Sequence, residues 1–300
     1  MENVLNMLKS LYKGENVAKK HWLLALLLLL PTLAGAFVGY IDKDTPKDLM
    51  IILLIIAFVI LVISIAPLIA LSGMSFSFMH NRYHNKEEGI PMCNLDMIKT
   101  GLKAIPLVLV WGVYSLIFVL FLLTLCFAPV IITAVSNQNS DNLGLYIGSI
   151  LLSVLFCFLV CFILYLLTPF FSYVSITYAK TFKYSAKIFN PLIIIGFIKK
   201  AFKSSVLVAL KYIVVNIILS FATSFFYMIG FLIVFAFGIA AAITLPENVE
   251  LTSVPWFVIL SIIIAALMGL VQTYASTVVG YGMVGNLVEV YKDEIEKIEE

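Results

Sequence analysis

The feature that most limits what this chain can fold into is a series of long apolar runs almost free of charge, at roughly 21–41, 49–79, 105–135, 143–179, 206–244 and 255–285. Each meets or exceeds the ~20 residues that an α-helix needs to cross ~30 Å of hydrocarbon. Hydrocarbon offers no partner to a backbone N–H or C=O, so a segment that enters it must satisfy its own hydrogen bonds, and the helix does so within one segment. The composition agrees, at 62% hydrophobic and 12% charged over 300 residues. A soluble chain with so few polar side chains lacks the means to cover its surface. The expected fold is therefore all-α: a polytopic helical membrane protein of about six transmembrane helices.

The connections after the first, third and fifth runs are short: Asp42–Asp48, Ser136–Asn142 and Leu245–Pro255. Short connections join antiparallel neighbours, which predicts three helical hairpins. The last five runs exceed the bilayer's requirement, so those helices must tilt, kink or project into water. Pro67 and Pro169 lie inside two of them and predict kinks, because proline lacks the N–H of the helical ladder and crowds the preceding turn.

The charges define the orientation. Lys9, Lys13, Lys19 and Lys20 precede the first span, and Arg82, Lys86, Lys99 and Lys103 flank the second connection. The fourth connection and its flanks hold seven lysines from Lys180 to Lys211, and the tail holds Lys292 and Lys297. Of the 19 basic residues only Lys43 and Lys47 fall on the opposite side, leaving 17 on one face. This positive-inside pattern predicts a multi-pass protein of the cell membrane with both termini in the cytoplasm. A net charge of +2 gives no reason to expect a nucleic-acid partner.

Three regions follow: an amphipathic interfacial helix over 1–20, a transmembrane domain over 21–288, and an acidic cytoplasmic tail over 289–300. In the first, Val4, Leu8, Leu11 and Tyr12 recur at helical spacing with Lys9 and Lys13 between them, as in helices that lie on a membrane surface. Residues 191–203 read similarly, with Asn190 as a cap and Pro191 at the helix start. These cytoplasmic interfacial helices would put lysines against anionic lipid headgroups. Leu23–Leu30 followed by Ala34-Gly35-Ala36 resembles a signal peptide, but the long preceding basic segment favours an uncleaved anchor. A weak repeat relates Pro67–Tyr83 to Pro169–Tyr184, with Gln272–Tyr281 as a third copy lacking the proline.

Ile90-Pro91, Gly101-Leu102-Lys103, Trp111 and Tyr114, together with Tyr178-Ala179-Lys180 through Phe189 and Pro191–Tyr212, resemble the DUF4013 family of prokaryotic membrane proteins, a domain of unknown function. Its members carry a Leu-Pro-like step and a Gly-Leu-Lys step in the cytoplasmic connection before a membrane span. The resemblance implies an architecture and not a reaction, and it brings no functional residues with it.

Catalytic signatures are missing from the sequence. It has no G-x-x-x-x-G-K-[ST], no H-E-x-x-H and no G-x-S-x-G. No cofactor and no enzymatic activity are expected. His80 and His84, four apart with Arg82 between them and Glu87-Glu88 beyond, form a candidate cluster at the cytoplasmic boundary, where an i, i+4 histidine pair suits a metal or a pH-sensitive contact. A solvated helix end is the plainer reading. Asn216, Gln272 and Thr273 are candidate intramembrane polar contacts: either hydrogen bonds between helices or the lining of a polar cavity. Tyr165, Tyr173, Tyr178, Tyr184, Tyr274 and Tyr281 gather towards the cytoplasmic halves of two spans, as interfacial anchors do. Gly269, Ala275, Gly280, Gly282 and Gly285 permit close helix approach or a hinge. Cys157 and Cys161 would share a helix face as small apolar residues.

Two functions fit. One is a non-enzymatic membrane protein, either a subunit of a complex with a protein partner or a lipid-interacting protein. The alternative is a transporter or permease for a neutral or apolar substrate, which the repeat, the prolines and Asn216 with Gln272 would serve.

Overall fold

The computed structural model describes residues 2–39, 41, 47–86, 89–136, 143–190, 192–244 and 255–299. Among these every regular element is helical: Glu2–Ser10 (α1), Val17–Gly39 (α2), Lys47–Ile63 (α3), Ile65–Tyr83 (α4), Leu95–Ser136 (α5), Leu143–Thr181 (α6), a 3-10 turn at Ala186–Phe189, Leu192–Thr244 (α7) and Pro255–Glu299 (α8). Six stretches are long and apolar enough to cross a bilayer: Val17–Gly39, Lys47–Tyr83, Leu95–Thr133, Ile147–Leu166, Lys200–Ile243 and Trp256–Lys292. The protein is an all-α polytopic membrane protein.

The second span is α3 and α4 in series, broken at Ser64. Pro67 causes the break, because it has no N–H to offer the Ile63 carbonyl four residues earlier. Ser64 bridges the defect. Its N–H bonds the Ile60 carbonyl at 2.9 Å, its Oγ bonds the same carbonyl at 2.7 Å, and Leu68 N–H resumes the ladder onto the Ser64 carbonyl at 3.0 Å. The end of α4 is closed by a Schellman motif. Asn85 takes φ 53°, Lys86 N–H bonds the Asn81 carbonyl at 2.9 Å, and Asn85 N–H bonds the Arg82 carbonyl at 3.2 Å.

The chain divides into two compact units, residues 1–103 with 211–289, and residues 104–210 with 290–300. In the first unit α2 and α3 form one hairpin, whose core joins Leu33, Phe37 and Leu49 to Leu53, Val258 and Ile262. The portions of α7 and α8 in this unit form a second hairpin. Its contacts run antiparallel, from Asn286 on Tyr212, through Gln272 on Tyr227 and Met268 on Gly230, to Phe257 on Gly238. A core of Leu11, Leu24, Leu28, Met74, Phe78, Ile90, Val278 and Tyr281 ties α2, α4 and α8 to the end of α1. In the second unit α5 and α6 are antiparallel, with Phe127 and Val130 facing Ser153 and Cys157. The three hairpins follow from their short connections, which bring each apolar helix back against its neighbour.

The helix suggested over 1–20 is divided. It ends at Ser10, the chain tightens through 3-10-type bonds from Leu11, Tyr12 and Lys13 to residues three earlier, and Gly14 turns at φ +97° before α2 begins. Nor does the apolar face of α1 lie on a lipid surface: Val4, Met7 and Leu11 are buried in the protein. The segment expected to be interfacial over 191–203 forms, from Leu192 on, the first turns of α7, which runs unbroken to Thr244; Asn190 caps it by accepting Leu192 N–H at 2.9 Å, and Pro191 lies outside the described residues. The acidic tail continues α8, with Tyr291 and Ile295 buried in the second unit.

Candidate functional site

The first unit gathers its polar chemistry at one end, where α1, the start of α2, the end of α4 and the 274–289 stretch of α8 meet. Two glycines of α8 make room for α1. A Cβ on Gly282 would lie 2.7 Å from Leu8 Cδ2 and 3.0 Å from the Tyr212 hydroxyl, and one on Gly285 would lie 2.7 Å from Met7 Sδ. The small-residue run of span six therefore seats a helix. Arg82 locks the seat from the other side: its guanidinium donates to Ser10 Oγ, lies 5.6 Å from the centre of the Phe78 ring, and acts electrostatically on Glu289 of α8. Ser10 Oγ is itself anchored on the Met7 carbonyl at 2.7 Å.

His80 and His84 do share a face, with ring centres 4.5 Å apart and tilted by 57°. Arg82 between them turns into the protein to hold α1 and α8, so the three residues act in two directions. Among the described residues no group of three or more His, Cys, Asp or Glu side chains is placed to hold a metal ion. Glu87 and Glu88 lie outside the described residues.

A histidine that sequence patterning left aside does more. His21 Nε2 lies 3.4 Å from the Leu11 carbonyl, and Nδ1 lies 2.6 Å from the Tyr274 hydroxyl. A carbonyl only accepts, so in the neutral ring Nε2 carries the hydrogen and Nδ1 accepts from Tyr274. Tyr12 stacks on the imidazole with centroids 4.4 Å apart. The cluster joins the turn after α1 to α2 and α8. Beside it Trp22, 71% exposed, borders a shallow groove of about 330 Å³ with Ala25, Leu270 and Val271.

The intramembrane polar residues are separated. Gln272 accepts the Tyr227 hydroxyl at 2.6 Å across the α7–α8 hairpin. Thr273 Oγ1 bonds back to the Gly269 carbonyl at 2.7 Å within its own helix. Asn216 is half-buried on α7, eleven positions before Tyr227, which at ~1.5 Å per residue is roughly 16 Å along the axis. The structure does not bring Asn216 and Gln272 to one cavity.

In the second unit Tyr291 is the keystone. Its hydroxyl donates to the Pro169 carbonyl at 3.0 Å and receives Ser205 Oγ at 2.7 Å. Its ring meets Phe197 edge-on with centroids 4.7 Å apart, and Phe197 stacks on Tyr173 at 3.8 Å. Trp111 Nε1 donates to the Ile188 carbonyl at 3.1 Å. Tyr178, close to the end of α6, is buried beside Tyr184, which pushes its phenol above the ordinary range. These aromatic groups pack against one another inside the protein, where the sequence had placed Tyr173 and Tyr178 at a lipid interface.

A basic cavity of about 570 Å³ opens beside the α1–α2 turn, bordered by Lys13, Glu15 and Lys20 on one side and by Lys86 and Gly89 on the other. Its walls are fixed by backbone. A Cβ on Gly89 would lie 2.5 Å from the Lys13 carbonyl oxygen, so only glycine lets these two segments meet. Each lysine had counted separately in the positive-inside pattern; their convergence is tertiary. Nearby Cys93 is half-buried, and burial raises its thiol above the ordinary value.

Compared with protein-family models, with curated proteins and with solved structures, the chain shows no significant match.

Proposed function

We propose that this is a non-enzymatic protein of a prokaryotic cell membrane, with both termini in the cytoplasm, that works by holding anionic lipid or a partner protein, as a lipid-interacting protein or a subunit of a membrane complex. The observation that carries the reading is the fate of the polar groups inside the spans. Gln272 is taken up by Tyr227, Thr273 by its own helix, and Asn216 stands roughly 16 Å along α7 from that pair. Groups that line a transport path converge on a substrate; these spread out along the spans, and Gln272 joins α7 to α8. The charged groups gather instead at the basic end, where the orientation pattern puts the cytoplasmic headgroup layer. The residues resembling DUF4013 support membership of that family. Two of them, Gly101 and Trp111, act as helix contacts, which fits an architectural role.

Native mass spectrometry of the full chain, extracted with surrounding membrane, tests this reading. A stoichiometric protein partner or tightly held anionic lipid is the expected result. A protein that carries neither, together with a solute uptake that Asn216→Ala, Gln272→Ala abolishes, would replace the reading with the transporter. Turnover of a lipid that His80→Ala, His84→Ala removes would replace it with an enzyme.

A further inference from the structure

We propose that a cavity between α2, α4 and α8, within the spans of the first unit, binds the hydroxyl end of an uncharged lipid alcohol, with Ser75, Thr277 and Tyr281 as the groups that recognise it. The inference goes beyond the reading above and stands apart from it, because no charged side chain is among the described residues that line the cavity.

The cavity measures about 330 Å³. Leu28, Leu71 and Val284 give it apolar walls, and Gly280 leaves it room: a Cβ there would meet nothing within 4 Å. Tyr281 on its border is only 6% exposed, and its ring meets Phe78 edge-on with centroids 5.1 Å apart. Among the described residues the Tyr281 hydroxyl has no hydrogen-bond partner. A buried hydroxyl ordinarily has one, and leaving it without is costly, so this one calls for a ligand. Ser75 Oγ likewise has no partner among the described residues and is not bonded back to its own helix. Thr277 is bonded back: its Oγ1 donates to the Thr273 carbonyl at 2.7 Å. The cavity therefore offers two hydroxyls whose hydrogens are uncommitted and a third that can only accept.

That set selects the ligand. A hydroxyl accepts from Ser75 or Tyr281 and donates to Thr277 Oγ1, whereas a carbonyl only accepts and an ammonium only donates. Depth agrees. Arg82 of α4 acts electrostatically on Glu289 of α8, and Ser75 lies seven residues before the one as Tyr281 lies eight before the other. At ~1.5 Å per residue both sit roughly 11 Å along their helices from that charged pair. A neutral alcohol settles at such a depth, because it lacks the charge that keeps a phospholipid headgroup in water. The lining residues belong to the spans Val17–Gly39, Lys47–Tyr83 and Trp256–Lys292, so the ligand arrives by first partitioning into the bilayer. Gln272, Thr273 and Asn216 are not among the described residues that line the cavity, so it holds a ligand and does not open a path across the spans.

The test is retention of dioleoylglycerol by the purified full chain in phosphatidylcholine bilayer discs, read by native mass spectrometry against the same lipid with its free hydroxyl methylated. Wild type should keep the alcohol at least about tenfold better than the ether, the order expected when buried hydroxyls lose their partner. Gly280→Leu should abolish retention by filling the cavity, with no neighbour in the way of its Cβ. Gly112→Leu, which also has nothing within 4 Å of its Cβ, should keep wild-type retention. Tyr281→Phe should weaken binding of the alcohol and narrow its lead over the ether. Ser75→Ala reads the same loss without altering a buried ring, and thermal melts confirm that each variant is folded. Equal retention of alcohol and ether by wild type would overturn the site, as would wild-type retention in Gly280→Leu or equal losses in Gly280→Leu and Gly112→Leu. An unchanged preference for the alcohol in both Tyr281→Phe and Ser75→Ala would overturn the recognition by these hydroxyls. Each of these failures leaves the functional reading above standing, since that reading is decided by a protein partner or anionic lipid on the native chain.

Discussion

Gly73 of α4 lies against the main chain of Met97 in α5: a Cβ there would stand 1.8 Å from the Met97 carbonyl oxygen. The contact is reciprocal, since a Cβ on Gly101 would stand 2.0 Å from the carbonyl oxygen of Ile69. Ile69 and Gly73 are one turn apart on α4, and Met97 and Gly101 are one turn apart on α5, so the two helices cross backbone to backbone. Small residues allow such crossings wherever helices must associate without a hydrophobic driving force from water.

Gly73→Ala and Gly101→Ala are therefore expected to be among the most damaging single methyl additions in the protein. The obstacle is backbone, which cannot swing aside, so the cost should reach at least about 3 kcal/mol, the upper end of ordinary overpacking. Gly112→Ala, in the same α5 but with nothing within 4 Å of its Cβ, should instead stabilise by about 1 kcal/mol through helix propensity. Thermal melts in one detergent compare the three directly. A Gly73→Ala protein that melts with wild type would refute the crossing.

Gly282 and Gly285 predict a milder and reparable defect. Their added methyls meet the flexible ends of Leu8 and Met7, so Gly285→Ala should cost roughly 1 kcal/mol. Met7→Ala should restore part of it, and a double-mutant cycle measures the coupling. The same variant should make the α1–α2 turn more susceptible to protease, because the seat of α1 is loosened. Independent, additive effects would mean that α1 does not rest on α8 there.

Removing the Tyr291 hydroxyl should cost more than its one atom suggests. Tyr291→Phe leaves the buried Pro169 carbonyl without its donor and Ser205 without its acceptor, a loss of about 1–3 kcal/mol. Tyr227→Phe breaks a bond to the exposed Gln272, and interhelical bonds of that kind average ~0.6 kcal/mol. The melting temperatures should rank accordingly, and the reverse order would contradict the burial of the Tyr291 network.

Cys93 offers a test in pH. Burial favours its neutral thiol, so the thiolate that reacts with alkylating reagents is scarcer at mildly alkaline pH than in an unfolded chain. Iodoacetamide should modify Cys93 more slowly in the native protein than after denaturation, and the gap should narrow as pH rises through the elevated value. The sign for stability is the opposite of a paired carboxylate: the unfolded chain ionises first, so raising the pH past the ordinary thiol value lowers stability. Equal rates in native and denatured protein would remove the burial of Cys93.

The sequence by itself determined the solvent, the secondary structure and the pairing of neighbours. Those properties are local: apolar runs too long for a soluble core, a proline that breaks one span at Ser64, an asparagine that caps α7, and connections too short to reach past the next helix. What lay beyond reach was every relation between residues distant in the chain. The apolar stripe of α1 reads alike whether its partner is lipid or protein, and only the glycines of α8, more than two hundred residues on, decide that it is protein. Gln272 and Asn216 look equivalent as amides within the spans until the register of α7 against α8 assigns one of them to Tyr227. His21 scores as an ordinary helix residue until folding delivers Tyr274 and the Leu11 carbonyl to its two nitrogens. Lys13, Lys20 and Lys86 are three entries in a charge count until a turn, a helix start and a Schellman cap bring them around one cavity, because hydrophobic periodicity records which face is apolar and carries no information about which surface will cover it.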